Sequence, residues 1–433
     1  MLTIIEWNAL DDAARASALE RPAVAQDAEI RTAVARIIEQ VQDQGDTAVF
    51  ALTEKYDAAS LDSLAVSPGE IEAAEASLDT NQRDAIDLAI ANVRAFHEAQ
   101  SPEPITVTTM PGVNCERRHH AIESVGLYVP AGTAPLPSAA IMLAVPATLA
   151  GCPTRILCTP PRPDGKADPA VVFAAVRAGV RRIFKIGGAQ AIAAMAYGTE
   201  TVPNVSKLFG PGNAWVTSAK TQVSADPRGA AIDMPAGPSE VLVLADDSAS
   251  PEFVAADLLS QAEHGTDSQV ILVTTSHTLA VDVVRQIESQ LASLGRADIA
   301  RAAIAASRAI VVDDLETAVE VSNTYAPEHL IVQTRSPREL LDSIRNAGSV
   351  FLGQWTPESV GDYCSGTNHV LPTYGFARTY SGLGLDQFLR SMTVQELTSE
   401  GLRSLGGAVV TLAGMEGLDA HAAAVTRRLE TVS

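Results

Sequence analysis

The spacing of apolar residues along the chain changes after about Pro104. Over the first hundred residues, apolar side chains recur three and four positions apart, which predicts helices with one buried face. One helix is predicted over residues 28–44, with Asp27 as its N-cap and Gly45 at its end. Its apolar face is formed by Ile30, Val34, Ile37, Ile38 and Val41.

A further helix start is marked by residues that suit capping positions. Ser67 is a suitable N-cap, Pro68 suits the first helical position, and Glu70 can reach back to the cap. A longer helix is expected over about residues 82–100. These segments predict a helical beginning of the chain.

Beyond residue 104, short apolar runs alternate with alanine-rich helical segments. This alternation predicts a parallel sheet with helices on its faces. The first group of predicted strands comprises residues 124–129, 154–158, 182–186 and 207–209. The stretch 233–238, rich in Pro and Gly, then predicts a hinge between two lobes.

A second group of strands follows the predicted hinge, so the pattern indicates a duplicated open α/β unit. Its strands are predicted over residues 241–245, 270–274, 309–312, 330–332 and 350–352. From about Gly384 the chain is predicted to return to helix and to end in a helical tail. The expected fold class is therefore α/β, with two lobes between helical ends.

Composition and charge exclude several classes of partner. The chain has 433 residues, too many for one hydrophobic core, and a formal charge of −21. Such a charge repels nucleic acid and anionic lipid, and no apolar run is long enough to span a bilayer. We expect no secretory signal, and the sparse cysteines without a CxxC pair favour the cytoplasm. The cysteines are Cys115, Cys152, Cys158 and Cys364.

Two pairs of polar residues on predicted helices are candidates for function. Gln261 and His264 end a helix that starts at Ser250, and their spacing puts an amide oxygen and an imidazole on one face. They could share a metal ion, but most such pairs are only polar residues at a helix end. Glu416 and His421 lie on the predicted tail and, taken alone, are a solvated surface pair.

Two other segments bring acids and imidazoles together. Glu328 and His329 lie where a helix ends and a strand begins, and such a pair suits a reaction with two proton transfers. A solvent-exposed strand start is the alternative. Residues 359–369 place Asp362 and His369 in a predicted loop with two glycines, where these side chains could bind zinc or serve the turn itself.

Glycines at two predicted helix starts are candidate phosphate sites. Residues 187–190 follow a strand and end in Gln190, and residues 210–213 precede a helix and end in Asn213. The free N–H groups of a helix start attract phosphate. The GxGxxG pattern of dinucleotide-binding proteins is missing, however, and glycine turns after strands are common in α/β proteins.

Taken together, these segments resemble the histidinol dehydrogenase family from about residue 27 to residue 428. The resemblance rests on several motifs in the same order, which is far more specific than any one of them. The motifs are residues 126–132 with 135–138, 187–190, 210–213, 233–240, 260–264, 325–330 and 361–373.

The resemblance implies a homodimer with intertwined subunits and two incomplete Rossmann-like lobes in each chain. Residues 1–25 would form a helical arm, and residues 26–127 a helical segment that packs with the second lobe. Residues 128–238 would form the NAD-binding lobe, and residues 239–383 a lobe with the zinc and catalytic residues. Residues 384–433 would form a helical extension that reaches the partner subunit.

The family reaction is the last step of histidine biosynthesis, in which L-histidinol is oxidised through an aldehyde to L-histidine while two NAD+ are reduced. The resemblance implies one zinc ion per subunit, held by Gln261, His264 and Asp362 of one chain and His421 of the other. The other implied substrate contacts are Ser239, His329, His369 and Glu416. The implied NAD contacts are Tyr128, Gln190 and Asn213.

In the implied scheme zinc orients the substrate, and His329 takes the hydroxyl proton while hydride leaves for NAD+. Glu328 then activates water at the aldehyde, and His329 assists the second hydride transfer. A covalent thiohemiacetal on Cys115 or Cys152 is an alternative, but neither adjoins a recognisable base in sequence. We expect all four cysteines to be packing residues.

Two other functions compete with this interpretation. A related zinc- and NAD-dependent enzyme could oxidise another polar primary alcohol, such as a sulfonated diol, but Glu416 and His421 argue for imidazole recognition. A binding or assembly protein on the same scaffold is the second, but the implied ligands and proton acceptors are all present.

Overall fold

A computed structural model of the chain describes residues 2–22, 28–131, 134–234 and 237–431. Asp27, the predicted N-cap of the helix over residues 28–44, lies outside the described residues. The helix itself begins and ends where the apolar spacing predicts.

Helices and strands alternate through most of the chain. The α-helices are α1 Asp12–Ala18, α2 Ala28–Gln44, α3 Asp46–Asp57, α4 Pro68–Ser77, α5 Thr80–Glu98, α6 Pro137–Leu149, α7 Pro169–Arg177, α8 Gly188–Tyr197, α9 Ala214–Ala225, α10 Pro251–Ala262, α11 His277–Leu291, α12 Ala297–Ala305, α13 Leu315–Tyr325, α14 Glu358–Tyr363, α15 Ser399–Met415 and α16 Asp419–Thr431. The strands are β1 Thr3–Glu6, β2 Ile105–Met110, β3 Val113–Ala121, β4 Ser124–Tyr128, β5 Thr154–Thr159, β6 Arg182–Lys185, β7 Lys207–Phe209, β8 Ala231–Ile232, β9 Glu240–Ala245, β10 Gln269–Thr274, β11 Arg308–Val311, β12 His329–Gln333, β13 Ser349–Leu352 and β14 Leu389–Leu397.

Local capping explains where the early helices begin. Ser67 and Glu70 form a capping box at the start of α4, as the sequence predicts. Asp79 and Gln82 form a second capping box, so α5 begins at Thr80, two residues before its predicted start. The predicted helical beginning is therefore confirmed for these elements.

The first parallel sheet has the strand order β6-β5-β4-β7-β8. All four predicted strands of the first group are present, and the two-residue strand β8 was not predicted. Helices α6 and α7 pack on one face of the sheet, and α2, α8 and α9 pack on the other. Burial on both faces explains why these strands are continuously apolar in sequence.

The second parallel sheet has the strand order β1-β11-β10-β9-β12-β13. All five predicted strands of the second group are present, with α10, α11 and α12 on one face and α13 on the other. The chain reaches this sheet from β8 through the predicted hinge, of which Pro235 and Ala236 lie outside the described residues. Two parallel sheets with helices on both faces confirm the α/β fold class.

The prediction that the first hundred residues are all helical is wrong for β1. This strand pairs with β11 in parallel, with Thr3 opposite Arg308. It has only four residues, of which Thr3 and Glu6 are exposed at the sheet edge. A strand this short shows no periodicity of its own, and its partner lies about three hundred positions away in sequence.

A small antiparallel sheet was also not predicted. Its order is β14-β3-β2, and β14 pairs with β3 along its whole length. The prediction of helix from about Gly384 is therefore wrong over Leu389–Leu397, although α15 and α16 confirm the helical tail. Most of β14 is exposed in the single chain, so it lacks the apolar alternation that marks a half-buried strand.

A search of the described residues finds no helix with the length and hydropathy needed to cross a membrane.

Candidate active site

Glu328 and His329 lie at the amino end of β12, the strand between β9 and the edge strand β13 of the second sheet. Helix α13 ends at Tyr325, and Ala326 caps it in the left-handed conformation with φ +56°, which turns the chain into the strand. Both side chains are buried, with 7% and 3% of each residue exposed. The predicted boundary between helix and strand is confirmed, and the alternative of an exposed strand start is wrong.

The backbone of Glu240 holds both members of this dyad. Glu240 is the first residue of β9, the neighbouring strand, and its N–H donates to Glu328 Oε2 at 2.9 Å. Its carbonyl lies 2.9 Å from His329 Nδ1 and can only accept, so Nδ1 carries a proton. The other ring nitrogen, Nε2, lies 3.5 Å from Asp362 Oδ1 and has no hydrogen-bond partner among the described residues. The dyad therefore presents Nε2 to whatever binds beside Asp362.

Burial and neighbouring charges shift the pKa values of both members of the dyad. Burial raises the pKa of Glu328, and the nearby imidazole of His329 opposes this only in part. Burial alone would lower the pKa of His329, but the carboxylates of Glu328 and Asp362 outweigh it and raise that pKa. With Asp362 ionised beside it, the raised pKa of His329 favours the protonated imidazole, so His329 can act as a base only when a cation offsets that negative charge.

Gln261, His264 and Asp362 face the dyad from two helices. Gln261 lies in the last turn of α10, and His264 follows two residues after the helix ends. The Oε1 atom of Gln261 is buried and has no hydrogen-bond partner among the described residues. Burial alone would raise the pKa of Asp362, but the nearby imidazole of His329 outweighs it and lowers that pKa. An ionised carboxylate beside imidazoles and a free amide oxygen is a donor set that suits a divalent metal.

Residues 359–369 are only partly the loop that the sequence predicts. Asp362 lies on the short helix α14, which begins after Pro357. Gly361 serves packing, because a Cβ at this position would lie 2.5 Å from the Phe351 ring. A side chain at this position would therefore push α14 away from β13.

Glu358 is a buried residue of this site that sequence reasoning missed. It accepts a hydrogen bond from Ser260 Oγ at 3.1 Å, and only 2% of the residue is exposed. Burial raises its pKa to about 7, while a hydrogen bond from the Gln261 side chain opposes the shift. A carboxylate only accepts, so the amide N–H of Gln261 points to Glu358 and its oxygen points away. The spacing of Glu358 and Asp362, four residues apart on one helix face, was the available signal.

A second group of candidate residues gathers at the carboxyl edge of the first sheet. Tyr128 ends β4, and its hydroxyl accepts a hydrogen bond from Gly188 N at 3.1 Å. Gln190 lies in the first turn of α8, and its buried Nε2 has no hydrogen-bond partner among the described residues. Asn213 is the N-cap of α9, and its side-chain oxygen accepts from the N–H groups of Trp215 and Val216.

The strand order reverses between β4 and β7, and in open α/β sheets ligands bind at the carboxyl edge beside such a reversal. Gly210 follows β7 with φ +121°, and a Cβ there would lie 2.1 Å from the Tyr128 carbonyl oxygen. Only glycine allows this close approach. The helix starts, the unpaired amide of Gln190 and the strand reversal make this edge suitable for a phosphate-containing ligand.

Comparisons with known proteins agree on one family. A model described as histidinol dehydrogenase matches residues 19–429. Histidinol dehydrogenases of Aliivibrio fischeri and Vibrio cholerae are 55% and 56% identical to this chain, covering 100% and 99% of it and 98% and 99% of their own lengths. The crystal structure of histidinol dehydrogenase from Elizabethkingia anophelis has a TM-score of 0.95 at 45% identity, covering 100% of this chain and 98% of that one.

The chain belongs to the histidinol dehydrogenase family. The matched region includes every residue that the sequence resemblance assigned to a site. Membership therefore rests on the full length of the chain and not on isolated motifs.

The remaining residues that the family resemblance assigned lie in different places. Ser239 immediately precedes β9, and His369 follows α14, with its Nε2 atom buried and unpaired among the described residues. Glu416 and His421 are exposed on the carboxy-terminal tail, at the end of α15 and the start of α16. Within the described part of one chain, no group of three or more His, Cys, Asp or Glu side chains could hold a metal. The single chain thus brings His264, His329, His369 and Asp362 near one another, whereas His421 lies on the exposed tail.

Asp57, at the end of α3, is another residue that sequence reasoning missed. Its Oδ1 atom lies beside Gly187, 3.2 Å from where a Cβ would stand, and its Oδ2 atom is buried without a partner among the described residues. Burial raises its pKa to about 6. The segment from residue 46 to 57 is an ordinary helix in sequence, so no local signal marks this residue.

All four cysteines are free thiols. Burial raises the pKa of Cys152 to about 11 and raises that of Cys158 further. A thiol with a raised pKa is a poor nucleophile at neutral pH, which supports a packing role for these two residues.

Proposed function

We propose that this chain is an NAD-dependent, zinc-containing enzyme that oxidises L-histidinol through the aldehyde to L-histidine. The observation that carries the proposal is its identity of 55% over the full length with a histidinol dehydrogenase. The buried Glu328–His329 dyad, facing a set of unpaired nitrogen and oxygen donors, supports it. The same identity favours histidinol over another polar alcohol as the substrate.

Gln261, His264 and Asp362 would hold the zinc ion. The unpaired Oε1 of Gln261 is the observation that fits, because a buried amide oxygen without a donor is costly unless a cation binds it. Burial lowers the pKa of His264, so its imidazole is neutral and free to coordinate. When bound, zinc would supply a positive charge that orients the substrate's nitrogen atoms and lowers the pKa of His329 by neutralising Asp362.

The fourth ligand would be His421 of the partner subunit in a homodimer. The tail that carries it exposes large apolar side chains around Glu416, which supports burial of this surface against another chain. They are Leu412, Met415 and Leu418, of which 59%, 79% and 40% is exposed. The Glu416 carboxylate of the same tail would then reach the substrate together with Ser239 and His369.

Tyr128, Gln190, Asn213 and Asp57 would hold the dinucleotide at the carboxyl edge of the first sheet. The unpaired Asp57 carboxylate suits ribose hydroxyl groups, which donate hydrogen bonds, and repels an additional phosphate. NAD+, when bound, would accept the hydride. The two parallel sheets support the proposed division into an NAD lobe over residues 128–238 and a second lobe over residues 239–383.

The dyad would carry the protons of both oxidations. His329 Nε2 accepts the hydroxyl proton of the alcohol as hydride leaves the same carbon. Glu328 would accept a proton from the water that adds to the aldehyde, and protonated His329 would return its proton to the aldehyde oxygen, which gives a gem-diol and a neutral imidazole. His329 then accepts a hydroxyl proton of the gem-diol during the second hydride transfer, and the product is the carboxylic acid. Each positioned base is worth about a hundred- to ten-thousand-fold in rate.

The direct test is an assay of the purified chain with zinc, NAD+ and L-histidinol, together with metal analysis. We expect two NADH for each L-histidinol consumed and about one zinc per chain. Turnover of a sulfonated diol without turnover of L-histidinol would replace the proposed substrate. Failure to form NADH from any alcohol at high enzyme concentration would favour a binding protein.

A further inference from the structure

Glu240 links the two catalytic side chains through a single residue. Its N–H binds Glu328 and its carbonyl fixes the tautomer of His329, so a shift of this residue moves both groups together. The dyad contacts only the backbone of Glu240. Its side chain points the other way, and only 2% of the side chain is exposed.

Arg21 holds the buried carboxylate of Glu240. Arg21 Nε donates to Oε1 at 2.5 Å and Nη2 donates to Oε2 at 2.9 Å, which is a bidentate ion pair. The N–H of Tyr374 also donates to Oε1, at 2.8 Å. Arg21 comes from the amino-terminal segment, 219 residues before its partner.

Arg21 also holds the segment that leads into the dyad from the other side. Its Nη2 atom donates to the carbonyls of Tyr325 and Ala326 at 2.8 and 3.4 Å, and its guanidinium lies 3.9 Å from the centre of the Tyr325 ring. Ala326 has the left-handed conformation that turns the chain toward Glu328. One guanidinium therefore joins the start of β9 to the start of β12, the two strands that support the dyad.

We propose that Arg21 is a positioning residue for the Glu328–His329 dyad. This role rests on the proposed function. Arg21 acts through Glu240 and the carbonyls before the dyad, and it orients His329 Nε2 toward the substrate without contacting substrate itself. The planar guanidinium of Arg21 has five N–H donors, so it can bond the Glu240 carboxylate and the carbonyls of Tyr325 and Ala326 together. The ammonium group of a lysine lacks this geometry.

The test compares Arg21→Ala and Arg21→Lys with Arg15→Ala. Arg15 lies on the same amino-terminal segment and packs on Trp7, 5.3 Å from the ring centre, so it controls for general loosening of that segment. We expect the kcat of Arg21→Ala to fall about a hundredfold, since a displacement of about 1 Å can cost this much. The kcat of Arg21→Lys should fall about tenfold, because the charge remains but the fork is lost.

Three further measurements distinguish positioning from a purely structural role. The KM values for L-histidinol and NAD+ should change less than about threefold, and zinc content and NADH affinity should stay at wild-type levels. Added guanidinium should raise the kcat of Arg21→Ala about tenfold by filling the vacated site, and should not affect Arg15→Ala. A kcat of Arg21→Ala within about threefold of wild type would overturn the proposal. Loss of zinc and NADH binding in parallel with kcat would overturn it as well.

A double variant covers the case in which Arg21→Ala does not fold. Arg21→Met with Glu240→Gln removes both buried charges and so avoids an unpaired one. We expect this variant to fold but to keep a low kcat, because the carbonyls of Tyr325 and Ala326 still lack their donor. Wild-type kcat in the folded double variant would refute the role. A wild-type chain that forms no NADH from L-histidinol would instead refute the proposed function, and this role with it.

Discussion

The two parallel sheets have similar topology, but their candidate functional residues gather at opposite edges. In the first sheet the strand order reverses between β4 and β7, and Tyr128 and Asn213 lie at the carboxyl edge beside this reversal. In the second sheet the order reverses between β9 and β12, but the dyad lies at the amino edge of these strands. In the proposed function, the same arrangement of strands would serve ligand binding in one sheet and positioning of proton acceptors in the other.

The carboxyl edge of the second sheet explains this difference. Where the first sheet has glycines and helix starts, the second has Asp246 and Asp247 directly after β9. Asp246 accepts from Arg335 N at 3.0 Å, and Asp247 forms an ion pair with the Arg335 side chain. Asp257 accepts from Gln333 at 2.6 Å. Acids that are already bonded to their neighbours repel phosphate and leave few free donors, so this edge is unsuited to a dinucleotide.

The prediction with the largest expected effect distinguishes a loss of catalysis from a loss of coenzyme binding. His329→Ala is expected to lower kcat by about a hundred- to ten-thousand-fold, because it removes the base from the second sheet. NADH affinity, measured by fluorescence titration, should remain unchanged, because the first sheet is untouched. The exposed His277, with 62% of its side chain accessible, provides the control His277→Ala. A matching loss of NADH affinity in His329→Ala would contradict the separation of the two edges.

We also propose that the site at the amino edge of the second sheet is complete only when a second chain supplies its His421. His264→Ala and His421→Ala homodimers should each be nearly inactive. After subunit exchange, heterodimers would have one intact site, so an equal mixture should recover about a quarter of wild-type activity. Subunit exchange should be followed independently with differently tagged chains. No recovery despite complete exchange would argue against a shared site.

A prediction with a smaller expected effect tests whether Asp57 binds the coenzyme at the carboxyl edge of the first sheet. Asp57→Asn is expected to weaken NADH binding about tenfold and to narrow the preference for NAD+ over NADP+, because it removes a carboxylate acceptor for ribose hydroxyls. Titration with both coenzymes measures this without turnover. Glu54→Gln, an exposed change on the same helix, is the matched control. Equal coenzyme preference in Asp57→Asn and wild type would remove Asp57 from the site.

The smallest effect concerns stability at the acidic edge. Burial, with a contribution from Glu358, raises the pKa of Asp257 from 3.8 to about 7. The folded chain therefore binds this proton more tightly than the unfolded chain, so the stabilisation is full below about pH 4 and is lost as pH rises through about 7. Asp257→Asn should gain on the order of 1–3 kcal/mol relative to wild type between about pH 5 and pH 8.

Urea unfolding at several pH values would measure this gain. Asp298→Asn, at a fully exposed carboxylate, is the control variant. If the difference in unfolding free energy between Asp257→Asn and wild type did not change with pH, Asp257 would be ionised throughout this range in the folded chain.

Elements with local signals were predictable from sequence, and elements with distant partners were not. The capping box at Ser67 and the apolar runs of the two sheets determine their structure within a few residues. In contrast, β1 and β14 are strands only because they pair with β11 and β3, which lie far away in the chain. Their own residues show neither a helical nor an alternating period.

The candidate site divides in the same way. Residues such as Glu328 and His329 could be assigned because they stand in motifs that resemble a family. Arg21 and Asp57 stand outside these motifs, and the role of Glu240, although it ends one of them, depends on contacts between segments that are distant in sequence. The pair of Arg21 and Glu240 spans 219 positions, and a charged residue near a chain end has no local feature that indicates burial.

The position of β1 has a consequence for synthesis of the chain on the ribosome. Strands β4 to β8 are contiguous between residues 124 and 232, so the first sheet can form as soon as this stretch has emerged. The second sheet cannot be completed until residues 308–311 have been synthesised and can pair with residues 3–6. The residues of the first sheet lie between these two segments in the sequence. We therefore expect nascent chains halted near residue 300 to contain a folded coenzyme lobe while their amino terminus is still open to proteolysis.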